Sequence, residues 1–217
     1  MEHAEMARST YEDLMEKTKL IVQRKPESGE SPPTEELYAV LHLTVDAEGT
    51  NGGDRHKDLG MVQLGISRFL AVVAQIVDGW GGKLIEASRQ SYTAIFPISE
   101  PGAIGRCCIC GIQILQAIDN AVNPSLAEEG VKFAFRGGVG ISMGPVYGFD
   151  TGLTSPANSL YYGEAMASAV EYANMTDGSV IVDKKVKEHV ERASTEFKVR
   201  FHPYRYHEWV GYRFDVG

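Results

Sequence analysis

From Leu59 to Trp80 the residues Val62, Ile66, Phe69, Leu70, Val73, Ile76 and Val77 recur at helical spacing, and Gly81-Gly82 stops the run. At once the period changes. In WGGKLIEASRQSYTAIFP, Leu84 and then Tyr92, Ala94 and Phe96 alternate around a polar knot, Ser88-Arg89-Gln90-Ser91, which predicts a hairpin packed on one face. A helix feeding directly into a hairpin excludes most all-α and all-β plans.

The flanking segments extend this order. Leu37 to Gly49, LYAVLHLTVDAEG, predicts a buried strand that runs out at Asp46. Ala103 to Val122 predicts a second long helix, followed by an irregular loop through Asn123-Pro124 and Glu128-Glu129-Gly130. Val131 to Asp150 reads as two strands about a turn at Met143-Gly144-Pro145. Beyond it come a helix from Gly163 to Asn174, a turn at Asp177-Gly178, a strand Ser179 to Val182, a further helix, and two closing strands, Phe197 to Phe201 and Tyr206 to Phe214. The sum is β-α-β-β-α-β with additions, an α+β, ferredoxin-like plan.

The N-terminal part reads differently. Residues 1–24 set Met6, Leu14, Ile21 and Val22 among many charges, the narrow stripe of an exposed or dimerising helix. Residues 25–36, KPESGESPPTEE, are rich in Pro, Ser, Gly and Glu and read as a linker, leaving 37–217 as the folded domain. A net charge of −8 argues against a general nucleic-acid binder, because phosphate neutralisation needs a surplus of Lys and Arg. No apolar stretch approaches the roughly 20 residues that span a bilayer, so cytoplasmic residence is the expectation. Cys107, Cys108 and Cys110 cluster within a helical apolar pattern, which reads as reduced core thiols rather than a redox or metal motif.

Five segments in order carry a family resemblance. LTVDAEGT (residues 43–50), GGKLIEASRQSYTAIF (81–96), RGGVGISMGPVYG (136–148), YYGEAMASAVEYA (161–173) and DGSVIVDKKV (177–186) resemble the motifs of class III nucleotide cyclase catalytic domains, the adenylate and guanylate cyclases. That resemblance implies the class III cyclase fold, a central sheet rich in antiparallel pairs with flanking helices. It also implies a cytoplasmic dimer with a shared site, Mg2+ or Mn2+ as cofactor, and a nucleoside triphosphate as ligand.

Carried over residue by residue, the resemblance is to a degenerate member. The first metal aspartate is present as Asp46, while the second position is Gln90, preceded by Arg89 in place of glycine. An amide can coordinate a hard cation but brings no charge. Where the family supplies an asparagine and an arginine across the dimer, this sequence has Ala167 and Glu171. The base-reading positions are Glu86, whose carboxylate can accept from guanine N1–H and N2–H, and Leu160, which is apolar. Asp46 also reads as a simple loop-initiating aspartate, and Glu86 as an ordinary charged residue on an open strand face.

A pseudo-cyclase, dimerising with itself or with a related cyclase domain, is the reading these positions favour. Its alternative is an active cyclase with an altered metal site, making cyclic GMP or a pyrimidine cyclic nucleotide of the kind used in antiphage signalling. His202 and His207 flank Pro203 to Tyr206 and read as surface histidines about a turn. Arg136 to Gly140, RGGVG, resembles a phosphate loop in composition only and reads as a strand with close backbone packing.

Overall fold

The strand β1 (Thr34–Glu48) pairs along its whole length with β4 (Ala134–Asp150), and this antiparallel pair is the spine of the molecule. The computed structural model describes residues 34–48, 55–88, 90–150, 159–193 and 199–216. The helix expected over residues 1–24, most of the linker, and Arg89 lie outside them. Around the spine the chain runs α1 (Arg55–Gly79), β2 (Lys83–Ala87), β3 (Ser91–Pro97), α2 (Ala103–Ala117), a π turn (Ile118–Val122) and α3 (Asn123–Glu128) before β4. After it come β5 (Ser159–Tyr162), α4 (Glu164–Asn174), β6 (Val180–Val182), α5 (Lys184–Ala193), β7 (Val199–Tyr206) and β8 (Trp209–Val216).

The sheet order is β2-β3-β1-β4-β6-β8-β7, with β5 on the end of β4. The first four strands are the antiparallel ferredoxin-like unit, and among the described strands only β4 and β6 are parallel, joined by a crossover through α4. Because successive side chains of a strand point to opposite faces, β1 serves two cores. Ala39, Leu41, Leu43 and Val45 pack under α1, α2 and α5 with Phe69, Val73, Ile114 and Val186. Val40 faces the other way, against Ala165 and Ala169 of α4 with Ile95 and Val146.

This double coverage corrects the expectation of a hairpin packed on one face: Tyr92 through Phe96 are all buried, because α4 closes the side the alternation leaves open. β1 begins at Thr34, inside the stretch read as linker, since its register continues to Thr34 opposite Gly148. No turn interrupts residues 143–145. Leu37 O accepts from Ile98 N on the β3 side, so Leu37 and Pro145 form a non-hydrogen-bonded pair and the missing proline N–H costs the β1 ladder nothing. Asn123 to Glu128, expected as loop, is a short helix whose Asn123 side chain brackets the Phe135 backbone with two hydrogen bonds, at 2.8 and 2.9 Å. The last hairpin turns at His207-Glu208 rather than Pro203 to Tyr206, which pair within the ladder; His207 takes the left-handed conformation, φ 51°.

The RGGVG segment is strand, as read. Gly138 and Gly140 sit beneath α4 where a β-carbon would come within 2.4 Å of the helix backbone. The three cysteines are free and buried, and burial pushes the thiols of Cys108 and Cys110 up to about 12. No helix among the described residues is long and apolar enough to cross a membrane.

Candidate functional site

Asp46 sits exposed near the end of β1, next to the buried Val45. The β2–β3 turn reaches it. Val45 N donates to the Gln90 carbonyl at 2.8 Å, extending the β1–β3 ladder by one bond into the turn. The turn itself is stapled by serine: Ser88 Oγ accepts from Gln90 N at 3.3 Å and Ser91 N at 3.0 Å, and Ser88 N donates to Ser91 O at 2.8 Å. A serine side chain satisfying its neighbours' amides is the local device that lets this turn dispense with Asn-Gly.

With the turn so held, the Gln90 amide lies 3.4 Å from Asp46 Oδ1. An ionised carboxylate only accepts, so Gln90 presents its NH2 to Asp46 and turns its carbonyl oxygen elsewhere. The two positions that the family resemblance assigns to metal carboxylates are thus brought together, but they hydrogen-bond each other. A pair of divalent cations needs several converging anionic oxygens. Asp46 brings one carboxylate and Gln90 a neutral amide, so these two positions do not fit such a pair; among the described residues no group of three His, Cys, Asp or Glu side chains converges.

Beside Asp46 opens a cavity of about 240 Å³ lined by Thr44, Asp46, Arg136, Asn174, Thr176 and Asp177, among others. Arg136 is the strand partner of Asp46 and approaches Asp177 at 3.7 Å; Thr44 Oγ1 donates to Asn174 Oδ1 at 3.0 Å, tying β1 to the end of α4. Sequence reasoning missed Arg136, Asn174 and Asp177 as neighbours of Asp46. The β1–β4 register that sets Arg136 opposite Asp46, and the seating of the end of α4 against β1, have no local signature.

Ala167 and Glu171 are exposed on α4, one turn apart, and no hydrogen bond or ion pair among the described residues joins their side chains to Asp46 or Gln90. Leu160, on β5, is 47% exposed. Glu86 is exposed on β2, where Thr93 Oγ1 donates to its Oε2 at 3.0 Å; Thr93 in turn lies 2.9 Å from Nδ1 of the buried His42. Burial lowers the His42 pKa, and the nearby Glu86 carboxylate partly opposes that shift.

No protein-family model matches the chain, and no curated protein does. Solved structures are similar. The guanylyl cyclase Cya2 superposes with a TM-score of 0.67 at 15% identity, over 86% of this chain and 94% of that one. The guanylate cyclase domain of RhGC from Catenaria anguillulae, solved in complex with GTP, gives 0.64 at 15% identity over 85% and 98%. The adenylyl cyclase CyaB from P. aeruginosa gives 0.64 at 10% identity over 85% and 96%. The chain has the fold of class III nucleotide cyclase catalytic domains.

Proposed function

We propose that this domain is a nucleotide-binding, dimerising regulatory module that no longer cyclises its ligand. The observation that carries the reading is the hydrogen bond between Gln90 and Asp46, which engages the one retained carboxylate with a neutral amide. Cyclisation requires activation of a ribose hydroxyl and neutralisation of a triphosphate, work for which metal ions and cationic side chains are arranged in phosphoryl-transfer sites. Here the exposed face of α4 offers Ala167, which positions nothing, and Glu171, which repels phosphate. Loss of one preorganised donor costs about a hundred- to a thousand-fold in rate, and loss of a phosphate-stabilising arginine roughly a thousand-fold or more.

Two features support retained binding and pairing. Glu86 keeps an accepting carboxylate on the open edge of the sheet, and the similar Catenaria domain was solved with GTP. Leu37, Leu160 and Tyr162 leave about half of their surfaces exposed, apolar area that a second cyclase-like domain would cover.

The test is incubation of the purified protein with ATP, GTP, CTP and UTP in manganese, with mass spectrometry for cyclic monophosphates and Asp46→Ala as control. We expect no cyclic product from either protein. Product from the wild type that vanishes in Asp46→Ala would overturn the reading and establish a rebuilt active site.

A further inference from the structure

Glu86, Thr93, His42 and Gly140 form one row across four neighbouring strands, β2, β3, β1 and β4. The row depends on an irregularity. Leu84 pairs with Ala94, yet Glu86 rather than Ile85 pairs with Thr93, so β2 carries one extra residue at this point. In unbroken register Glu86 would oppose Tyr92, whose ring packs edge-on against Phe69 of α1 on the other face. The bulge therefore turns Glu86 away from the α1–α2 layer and onto the face covered by α4, the re-aiming of a side chain for which β-bulges are known.

Hydrogen-bond chemistry then sets the direction of the chain. An ionised Glu86 can only accept, so the single Thr93 hydroxyl proton goes to its Oε2. Thr93 Oγ1, having spent that proton, accepts from His42, which places the imidazole proton on Nδ1 and leaves Nε2 bare. Thr93 is 2% exposed and His42 5%. Two polar side chains buried in a sheet cost stability relative to apolar ones unless they are bonded, and the chain they make ends on an exposed carboxylate. Glu86 Oε1 has no partner among the described residues.

We infer that Thr93 and His42 are positioning residues for Glu86, holding its carboxylate so that Oε1 faces a planar ring edge with adjacent N–H donors, the guanine type. This rests on the nucleotide-binding reading above. A carboxylate held from behind at one oxygen meets such an edge already oriented, whereas a free glutamate must lose rotamer freedom to do so. An adenine edge presents an acceptor beside its amino donor, and the repulsion between that acceptor and the carboxylate offsets the one hydrogen bond the amino group offers.

The full chain is titrated with N-methylanthraniloyl GTP and with N-methylanthraniloyl ATP in magnesium buffer, and the His42 tautomer is read from imidazole 15N shifts. Wild type is expected to favour the guanine probe and Glu86→Gln to lose that preference. Thr93→Val should weaken the guanine probe about tenfold, the worth of one positioned hydrogen bond, while the adenine probe is unchanged and Thr93→Ser restores binding. A normal guanine preference in a folded Thr93→Val protein, with Glu86→Gln still impaired, overturns the positioning role and leaves nucleotide reading by Glu86 standing. Wild type that binds neither probe overturns the nucleotide reading and the role together. A predominantly Nε2–H tautomer at His42 overturns the hydrogen-bond chain whatever the probes show.

Discussion

Gly140 of β4 and Ala169 of α4 approach so closely that a β-carbon on Gly140 would lie 2.0 Å from the Ala169 carbonyl oxygen and 2.4 Å from Ala173 N. Both obstacles are helix backbone, which cannot rotate aside. Gly140→Ala should therefore lift α4 from the sheet and cost about 3 kcal/mol or more, read as a lowered urea midpoint. Gly105→Ala is the control: nothing lies within 4 Å of its β-carbon position inside α2, and the exchange should stabilise by about 0.5–1 kcal/mol. Equal midpoints for the two variants would refute the close approach.

Asp183, 9% exposed, is the junction between the sheet and α5. Its Oδ1 accepts from Val186 N at 2.6 Å, capping the helix, while Oδ2 accepts from Ser142 Oγ at 2.6 Å and Met143 N at 3.2 Å. Asp183→Ala removes the cap and orphans two donors, so a loss of about 2–3 kcal/mol is expected in equilibrium unfolding. Asp183→Asn keeps two accepting lone pairs and should recover part of it.

Gln90→Asp sets a second carboxylate beside Asp46, replacing the 3.4 Å amide contact with like-charge repulsion. Without metal the variant should melt below the wild type. In millimolar Mn2+ it should gain thermal stability that wild type does not, through binding to the folded state alone. A melting temperature indifferent to Mn2+ would mean that the two side chains cannot share a cation even when both are acidic.

His42 predicts a pH dependence whose sign follows from its burial. Desolvation lowers its folded pKa below the ordinary 6.5, against a smaller opposing effect of Glu86, the charged group that faces it. Well above pH 6.5 both states are neutral there and stability is complete. As pH falls below 6.5 the unfolded chain takes up a proton that the folded one refuses, so stability drops until the lowered pKa is passed. Urea unfolding from pH 7.5 to 5 should show a shallower decline in His42→Asn than in wild type; parallel curves would count against a buried neutral histidine.

The elements were largely legible in sequence because period 2 and period 3.6 are properties of the backbone itself. Phe69, Val73 and Val77 recur as a helix must and are buried as one face of α1. The misread segments share a cause. Met143-Gly144-Pro145 carries the residues of a turn, yet pairing with Tyr38 and Leu37 holds it extended. Asn123-Pro124 looks like a breaker, yet the helical backbone runs on through it from the π turn, whose wider ring, closed by Asn123 N on the Ile118 carbonyl, takes the chain past a proline that has no N–H to give.

At the site, Asp46 and Gln90 could be matched to each other through the family's spacing, and the structure brings their side chains together. Arg136 could not, because the ladder that sets it opposite Asp46 depends on every pair from Thr34 to Glu48. Residue types along the chain suffice for what each position can do chemically: Gln90 lacks a charge, Glu171 carries the wrong one, Glu86 can accept. Which of these meet is a matter of register, and register belongs to pairs of strands. One extra residue in β2 decides whether Glu86 points at Phe69 or at Thr93, and that choice is made by two strands packing between helices on both faces, which no local pattern encodes.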